Sequence, residues 1–553
     1  MTILLLKNDD FTGDRMDFKG IVITDCGAIG MITGDHHWKH TNGTAYTTVE
    51  ATAAAMAAGT DLNCGSAYGA DLRSAWAAKM VTIEMLKQAA GRAIYGWLEL
   101  GLFEDSTSAA ADKRRQMPMS IVDSAPHRAL AKQAAVQGVI LLKNKGGTLP
   151  LGGAGMANVA ASRSIWSQGK KKLAVIGPNA NRTLTLTANY AGCKNGAGGP
   201  ILPTCTFVNP LQGIEAALKA SDDWESEVKY AKGVEIDTTD TSGIDKAVAA
   251  AKDADVVVFV GGLITCQETG PQCQEAEARD RSSPLPGAGK RIGRDVGIGL
   301  PGQQLALLKA VAKDTSTPIV VVIMSGSSVA TPWAAASDRV GAIVQHFYPG
   351  VLGGEALADV LFGHAGPSAR LPVMVPTSEA QLPIDYLNQS MLAGKGRTHR
   401  YFTDVPLYPF GFGLGYSTMS YANLAVSHES LAAGTDALDT EMTITVDVTN
   451  RGEYANTHDE VVMVFAKPTL RDEATADMAV PRQMLLGFAR VTTMPGETVQ
   501  ATVTVPAKQL RLFGADGEFE LLHGGYELTV GGRAPGAAPG DVDEPLTRML
   551  RVE

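Results

Sequence analysis

Asp25 ends the run Gly20-Ile21-Val22-Ile23-Thr24, and Cys26, Gly27 and Ala28 follow it. Three consecutive apolar β-branched residues read as a fully buried strand. An acid at the C-terminal end of such a strand, just ahead of a helical segment, sits where α/β barrels keep their reacting groups. The competing reading makes Asp25 a cap for that helix. The run starts only about 20 residues into the sequence, with no room ahead of it for a barrel of about 250 residues.

Other residue groups suggest chemistry and fail on spacing. His36, His37 and His40 with Asp35 look like metal ligands but lack a regular ligand spacing, so they read as loop residues. Gly411-Phe412-Gly413-Leu414-Gly415 lacks the strand before and the helix after that a dinucleotide loop needs. Lys143 and Asn144 read as strand-end structure, and Asp61 as an acid bonding backbone at a strand end. Six cysteines fall into three plausible pairs, Cys26 with Cys64, Cys193 with Cys205 and Cys266 with Cys273, which fits an oxidising compartment. The alternative is six unrelated buried thiols. Glycosylation sequons begin at Asn42, Asn181 and Asn388.

The elements that must position these residues fall into three blocks. In residues 1–104, strand 21–24 precedes an alanine-rich helix over 49–58 that stops at Gly59. Thr60-Asp61-Leu62-Asn63-Cys64 is a short element before a loop. Ile83, Leu86, Ala90, Ile94, Trp97 and Leu98 then recur at helical spacing. This makes two βα units, the last quarter of a (β/α)₈ barrel. Residues 105–122 form a linker. Residues 123–414 alternate strands at 139–142, 173–176, 256–260, 319–323 and 342–346 with helices such as 213–220, 244–251 and 302–312, which predicts a doubly wound α/β sandwich. Residues 415–553 switch to period two, with strands at 441–449, 460–465, 498–505 and 525–530, which predicts an all-β sandwich of the immunoglobulin-like class.

With 553 residues the chain exceeds one hydrophobic core, and about three domains are expected. A formal charge of −10 without a basic block argues against nucleic acid or an anionic membrane as partner. No apolar run is long enough to span a bilayer. The five-residue apolar patch within Met1 to Lys7 is too short for a signal-peptide core.

The motifs, in order, resemble glycoside hydrolase family 3, and within it the β-xylosidase/α-arabinofuranosidase branch. Phe18-Lys19-Gly20 through Asp25-Cys26-Gly27-Ala28 is similar to the nucleophile strand. Ala58-Gly59-Thr60-Asp61 through Cys64-Gly65 resembles the last barrel strand, and Val139-Ile140-Leu141-Leu142-Lys143-Asn144 with Leu149-Pro150-Leu151 the start of the α/β sandwich. Ala174-Val175-Ile176-Gly177-Pro178-Asn179-Ala180, Asn189-Tyr190-Ala191-Gly192, Tyr348-Pro349-Gly350, Arg370-Leu371-Pro372-Val373 and Tyr408-Pro409-Phe410-Gly411-Phe412-Gly413-Leu414 follow. Cys26 stands where β-glucosidases of the family usually carry tryptophan, and Cys64 at the branch's second cysteine position. The resemblance therefore implies a Cys26–Cys64 disulfide beside the sugar pocket.

The resemblance implies a secreted, retaining, exo-acting hydrolase of terminal sugars that needs no metal or cofactor. Its substrate would be an oligosaccharide or aryl glycoside. Such cleavage uses two carboxyl groups about 5–5.5 Å apart. Asp25 matches the nucleophile. The acid/base would come from Glu275-Ala276-Glu277-Ala278-Arg279-Asp280-Arg281, similar to the branch's E-A-E-x-x-D-R signature; Glu277 fits the family spacing and Glu275 is its close rival. A solvated loop is the bland alternative. The C-terminal block would be fibronectin type III-like.

The motifs begin near the family's seventh barrel strand, so the resemblance implies that most of the barrel, and most groups gripping the terminal sugar, stand outside this sequence. For the chain as written the expectation is no turnover and a tendency to aggregate, since strand 21–24 has at most one parallel neighbour. Two classes stay open. One is an exo-glycosidase, of xylosidase or β-glucosidase type, whose sequence here is incomplete. The other is a non-catalytic carbohydrate-binding or structural remnant.

Overall fold

The computed structural model describes residues 20–34, 38–104, 118–152, 170–187, 206–264, 298–382, 388, 390–432, 438–469, 480–513, 519–535 and 544–553. The chain divides into two units, Met1–Ile121 and Val122–Glu553.

In the first unit the described helices are α1 (Ala28–Thr33), α2 (Thr48–Ala57), α3 (Ala67–Ala77) and α4 (Ile83–Glu99). A reciprocal capping box starts α2: Thr47 Oγ1 accepts the Glu50 N–H at 3.2 Å, and Glu50 Oε2 accepts the Thr47 N–H at 2.8 Å. Small side chains then let α2 pack closely. Ala51 and Ala55 meet Ile29 and Ile32 of α1, while Ala53 and Met56 meet Ala75 and Ala89.

Three expectations change here. Residues 21–24 do not form a ladder: the pairing is one parallel bridge, Ile23 to Leu62. Ile23 is 52% exposed, so the run is not fully buried. A central barrel strand is covered because neighbours flank it on both sides; among the described residues only the 61–62 segment pairs with this one. Second, α3 occupies what reads as loop after Cys64. Third, Ile83, Ile94, Trp97 and Leu98 stand exposed on α4, and its buried residues are Ala89 and Ala93.

The second unit opens with α5 (Ala125–Gln137), with Ser124 in the N-cap position and a proline in the first turn. A six-stranded sheet follows in the order β1-β6-β5-β4-β2-β3. Its strands are β1 (Ile140–Asn144), β2 (Leu173–Ile176), β3 (Lys229–Ala231), β4 (Val256–Gly262), β5 (Ile319–Met324) and β6 (Val340–Gln345). Helices α6 (Pro210–Lys219), α7 (Ile244–Lys252), α8 (Gln304–Asp314), α9 (Pro332–Ala336) and α10 (Gly353–Leu361) connect or flank them. Alternate residues of one strand feed opposite cores. Val257 and Phe259 pack with Leu307 and Val311, whereas Val258 and Val260 pack with Leu357 and Trp224. A sheet covered on both faces explains the unbroken apolar strands. Gly213 lets α6 touch α10, because a Cβ there would overlap the Gly354 carbonyl.

The sheet is not wholly parallel. β1 runs antiparallel to β6, with Ile140 opposite Gln345. Apolar runs such as Ile140-Leu141-Leu142 carry no direction, so the sequence pattern does not distinguish the two arrangements.

After the short helix α11 (Thr398–Tyr401) come two β-layers, antiparallel except where the short edge strand Ser430–Leu431 pairs in parallel with Leu546–Val552. The larger has the order β11-β10-β15-β16-β8, the smaller β12-β9-β7. Their strands are β7 (Met419–Val426), β8 (Ser430–Leu431), β9 (Glu441–Asn450), β10 (His458–Pro468), β11 (Met484–Thr493), β12 (Thr498–Pro506), β15 (Gly524–Gly531) and β16 (Leu546–Val552), with the small hairpin β13 (Leu512–Phe513) and β14 (Phe519–Glu520). Met442, Ile444, Val446 and Val448 of β9 face the core in strict alternation. The architecture is α/β plus all-β.

Candidate active site

Asp25 lies on a turn that residues 61–64 hold from one side. Thr24 N–H donates to the Leu62 carbonyl at 3.0 Å, and Gly27 N–H to the Cys64 carbonyl at 2.8 Å. Thr24 Oγ1 accepts both the Cys64 N–H at 3.1 Å and Asn63 Nδ2 at 3.0 Å. The Cys26–Cys64 disulfide closes the same contact covalently, with a Cα separation of 4.3 Å. Gly27 makes the turn possible by its left-handed φ of 76°, which disfavours other residues.

The Asp25 side chain is exposed, and one carboxylate oxygen is already engaged. Oδ1 accepts the N–H of Cys26 at 2.7 Å. Oδ2 has no hydrogen-bond partner among the described residues. Asp25 is not the helix cap, since the N-cap of α1 is Gly27 and no side chain caps it.

Behind the turn, Asp61 acts as a strut. Its side chain is fully buried, and Oδ2 accepts the Val22 N–H at 2.9 Å. Its Oδ1 accepts from Arg92 Nε at 2.8 Å and stands 2.7 Å from Arg92 Nη2. A carboxylate buried away from water needs such partners. The sequence reading identified Asp61 as backbone-bonding but missed Arg92, which lies 31 residues away on α4. Tyr68 also escaped it. Its hydroxyl donates to the Thr60 carbonyl at 2.9 Å, and burial pushes its phenol pKa up.

Glu275 and Glu277 lie outside the described residues, as do Asp35, His36 and His37. The same holds for Cys193, Cys205, Cys266 and Cys273, so neither of those two pairings has a described geometry. His40 stacks on Tyr46 at 4.0 Å and lies 3.3 Å from Glu50. Among the described residues no three His, Cys, Asp or Glu side chains stand together as metal ligands. None of the described helices is long and apolar enough to cross a membrane.

Lys143 and Asn144 serve structure. Lys143 Nζ donates to the carbonyls of Ala334, Ala335 and Ser337 at 2.8–3.2 Å and so closes the C-terminus of α9. Asn144 exchanges two hydrogen bonds with the backbone of Leu149.

The chain is similar in sequence and fold to known proteins. A beta-D-xylosidase 1 of Arabidopsis thaliana is 29% identical over 95% of this chain and 63% of its own length. An exo-1,4-beta-xylosidase of Emericella nidulans is 33% identical over 92% of this chain and 59% of its own. The chain thus spans less than two thirds of these curated relatives. A solved GH3 exo-beta-xylosidase, in complex with a xylobiose aziridine activity-based probe, matches 97% of this chain and 61% of that one at 26% identity, with a TM-score of 0.72. A β-glucosidase of Erythrobacter marinus shares the fold at 24% identity, TM-score 0.71, over 100% of this chain and 65% of that one. The fibronectin type III-like domain pattern matches residues 460–534. The glycosyl hydrolase family 3 C-terminal domain pattern matches residues 139–416, about half the chain, and the chain belongs to glycosyl hydrolase family 3.

Proposed function

We infer that the protein is a retaining, exo-acting glycoside hydrolase of β-xylosidase type, releasing terminal non-reducing sugars from oligosaccharides. The observation that carries this reading is the Asp25 carboxylate. One oxygen is oriented by the Cys26 N–H and the other is open, on a turn tied to Cys64 by a disulfide. In the first step Asp25 attacks the anomeric carbon. Glu277, or its neighbour Glu275, gives a proton to the departing glycosidic oxygen. In the second step the same glutamate takes a proton from water, which attacks the anomeric carbon and frees Asp25. Two displacements return the original anomer. The reading divides the chain at 1–104, 105–122, 123–414 and 415–553. The disulfide supports an oxidising, extracellular location.

Treating the natural protein with 2,4-dinitrophenyl 2-deoxy-2-fluoro-β-xyloside tests the assignment. The expected result is a mass adduct on the peptide containing Asp25, absent in Asp25→Asn, with NMR showing β-xylose as the first sugar released from a β-xyloside. An α-anomer, or an adduct elsewhere, overturns it. One observation favours a non-catalytic, glycan-binding reading: Ile23, beside Asp25, is 52% exposed on a run with a single bridge. Glycan binding with no adduct and no hydrolysis would support that alternative.

A further inference from the structure

We propose that the cleft between the α/β and β sandwiches binds a carboxylate-bearing sugar, a uronic acid carried on a glycan. The cavity holds about 660 Å³, room for a short saccharide. Two kinds of side chain line it, aromatic and cationic.

One wall is aromatic. The ring of His399 stacks on Phe410 with centroids 4.0 Å apart and planes within 16°. Phe402 lines the same side. Burial, reinforced by the charge of Arg400, pushes the His399 imidazole down to about 4, so near neutral pH the stacked pair is uncharged. The electron-rich faces of such rings attract the weakly positive C–H face of a pyranose.

The other wall is cationic. Lys467 on β10 and Arg482 just before β11 line the cavity. Neither side chain makes an ion pair among the described residues. Glu527 stands opposite Lys467 across the strands but does not line the cavity. Among the described residues Asp404 is the one acid in the lining, and it is engaged elsewhere. Its Oδ1 accepts the Val405 N–H at 2.9 Å and its Oδ2 lies 3.8 Å from Lys395. A ring carrying a carboxylate satisfies both walls at once, whereas a neutral pentose satisfies only the aromatic one. The walls are also joined to each other. Arg482 N–H donates to the Arg400 carbonyl at 2.6 Å, and Gln483 Nε2 to that of His399 at 3.1 Å. The cleft is therefore preformed, which limits the ordering cost of binding.

The choice of a glycan as carrier rests on the proposed function; the site itself does not involve Asp25. Calorimetry with xylotriose bearing one glucuronic acid tests it, with neutral xylotriose and free glucuronate as comparisons. The acidic oligosaccharide should bind about tenfold more tightly than either, a difference of about 1.4 kcal/mol. Lys467→Ala with Arg482→Ala should remove that preference, and Asp25→Asn should leave it intact. Both cations are exposed, so the double variant keeps its fold; Lys467→Gln alone, read from the His399 ring-proton shifts on ligand addition, gives a second readout. Equal affinity for acidic and neutral chains overturns the proposal, and so does an undiminished preference in the double variant. Equal binding of free glucuronate would reduce the site to a general anion trap. Loss of binding in Asp25→Asn would assign it to the reaction site. Failure of the covalent labelling at Asp25 leaves this binding result unaffected, so the two readings fail separately.

Discussion

The guanidinium of Arg370 donates to the carboxylate of Glu460 across the junction of the two sandwiches, Nη2 to Oε1 at 2.6 Å, with side-chain exposures of 8% and 2%. The Tyr421 hydroxyl donates to the same oxygen at 3.0 Å, and Arg370 also donates to the Gly413 carbonyl. Removing one partner of a buried pair strands the other charge. Glu460→Leu should therefore cost about 3–5 kcal/mol in urea unfolding. Arg370→Met with Glu460→Leu together should cost less than Glu460→Leu alone. A double variant no better than the single would show that the pair is not the origin of the loss.

Asp61 anchors the turn that carries Asp25. Asp61→Ala leaves Arg92 unpaired and the Val22 N–H without its acceptor. Hydrogen bonds to charged groups contribute about 1.5–3 kcal/mol. The Val22 amide should then exchange with solvent about tenfold faster or more, measured on the peptide over residues 20–26. Unchanged exchange would mean that the carboxylate does not hold the strand end.

The Cys26–Cys64 disulfide closes a sequence separation of 38 residues. Chain-entropy reasoning gives it roughly 4 kcal/mol. Reduction, or Cys64→Ser, should speed amide exchange in residues 20–34 and 60–66 while β4 stays protected. Equal protection before and after reduction would count against any role in ordering the turn.

His346 supplies a pH dependence. Its Nε2 bonds the Gly353 carbonyl at 2.9 Å, and the neutral ring donates there. Burial lowers its pKa from 6.5 to about 4. Below 6.5 the unfolded histidine takes up a proton that the folded one refuses, so stability is full above 6.5 and falls as the pH drops towards 4. The full effect is about 3 kcal/mol. His346→Gln, which keeps a donor, should flatten the stability profile in that window; an unchanged slope would exclude His346 as its source.

Strands such as β4 and β5 were legible in the sequence because a doubly covered sheet demands long apolar runs. β11 was not, since Gly487 and Arg490 interrupt the alternation and Phe488 stands exposed. Helix α3 was missed because Gly69 and its mixed polar sequence leave only one residue, Ala75, buried. The Asp25 turn could be found from its motif, whereas Arg92 could not: a lone arginine amid α4 signals its partner only once the helix is packed. The burial of residues 21–24 was overestimated because composition does not report how many neighbours a strand has.

Leu414 N–H donates to the Leu141 carbonyl at 2.8 Å, in an antiparallel bridge that joins the close of the α/β sandwich to its first strand. Entry and exit of that sandwich are therefore neighbours. A segment whose two ends meet can be excised, inserted into another chain or circularly permuted without tearing its sheet. The polypeptide thus enters and leaves the α/β sandwich at neighbouring points beside β1.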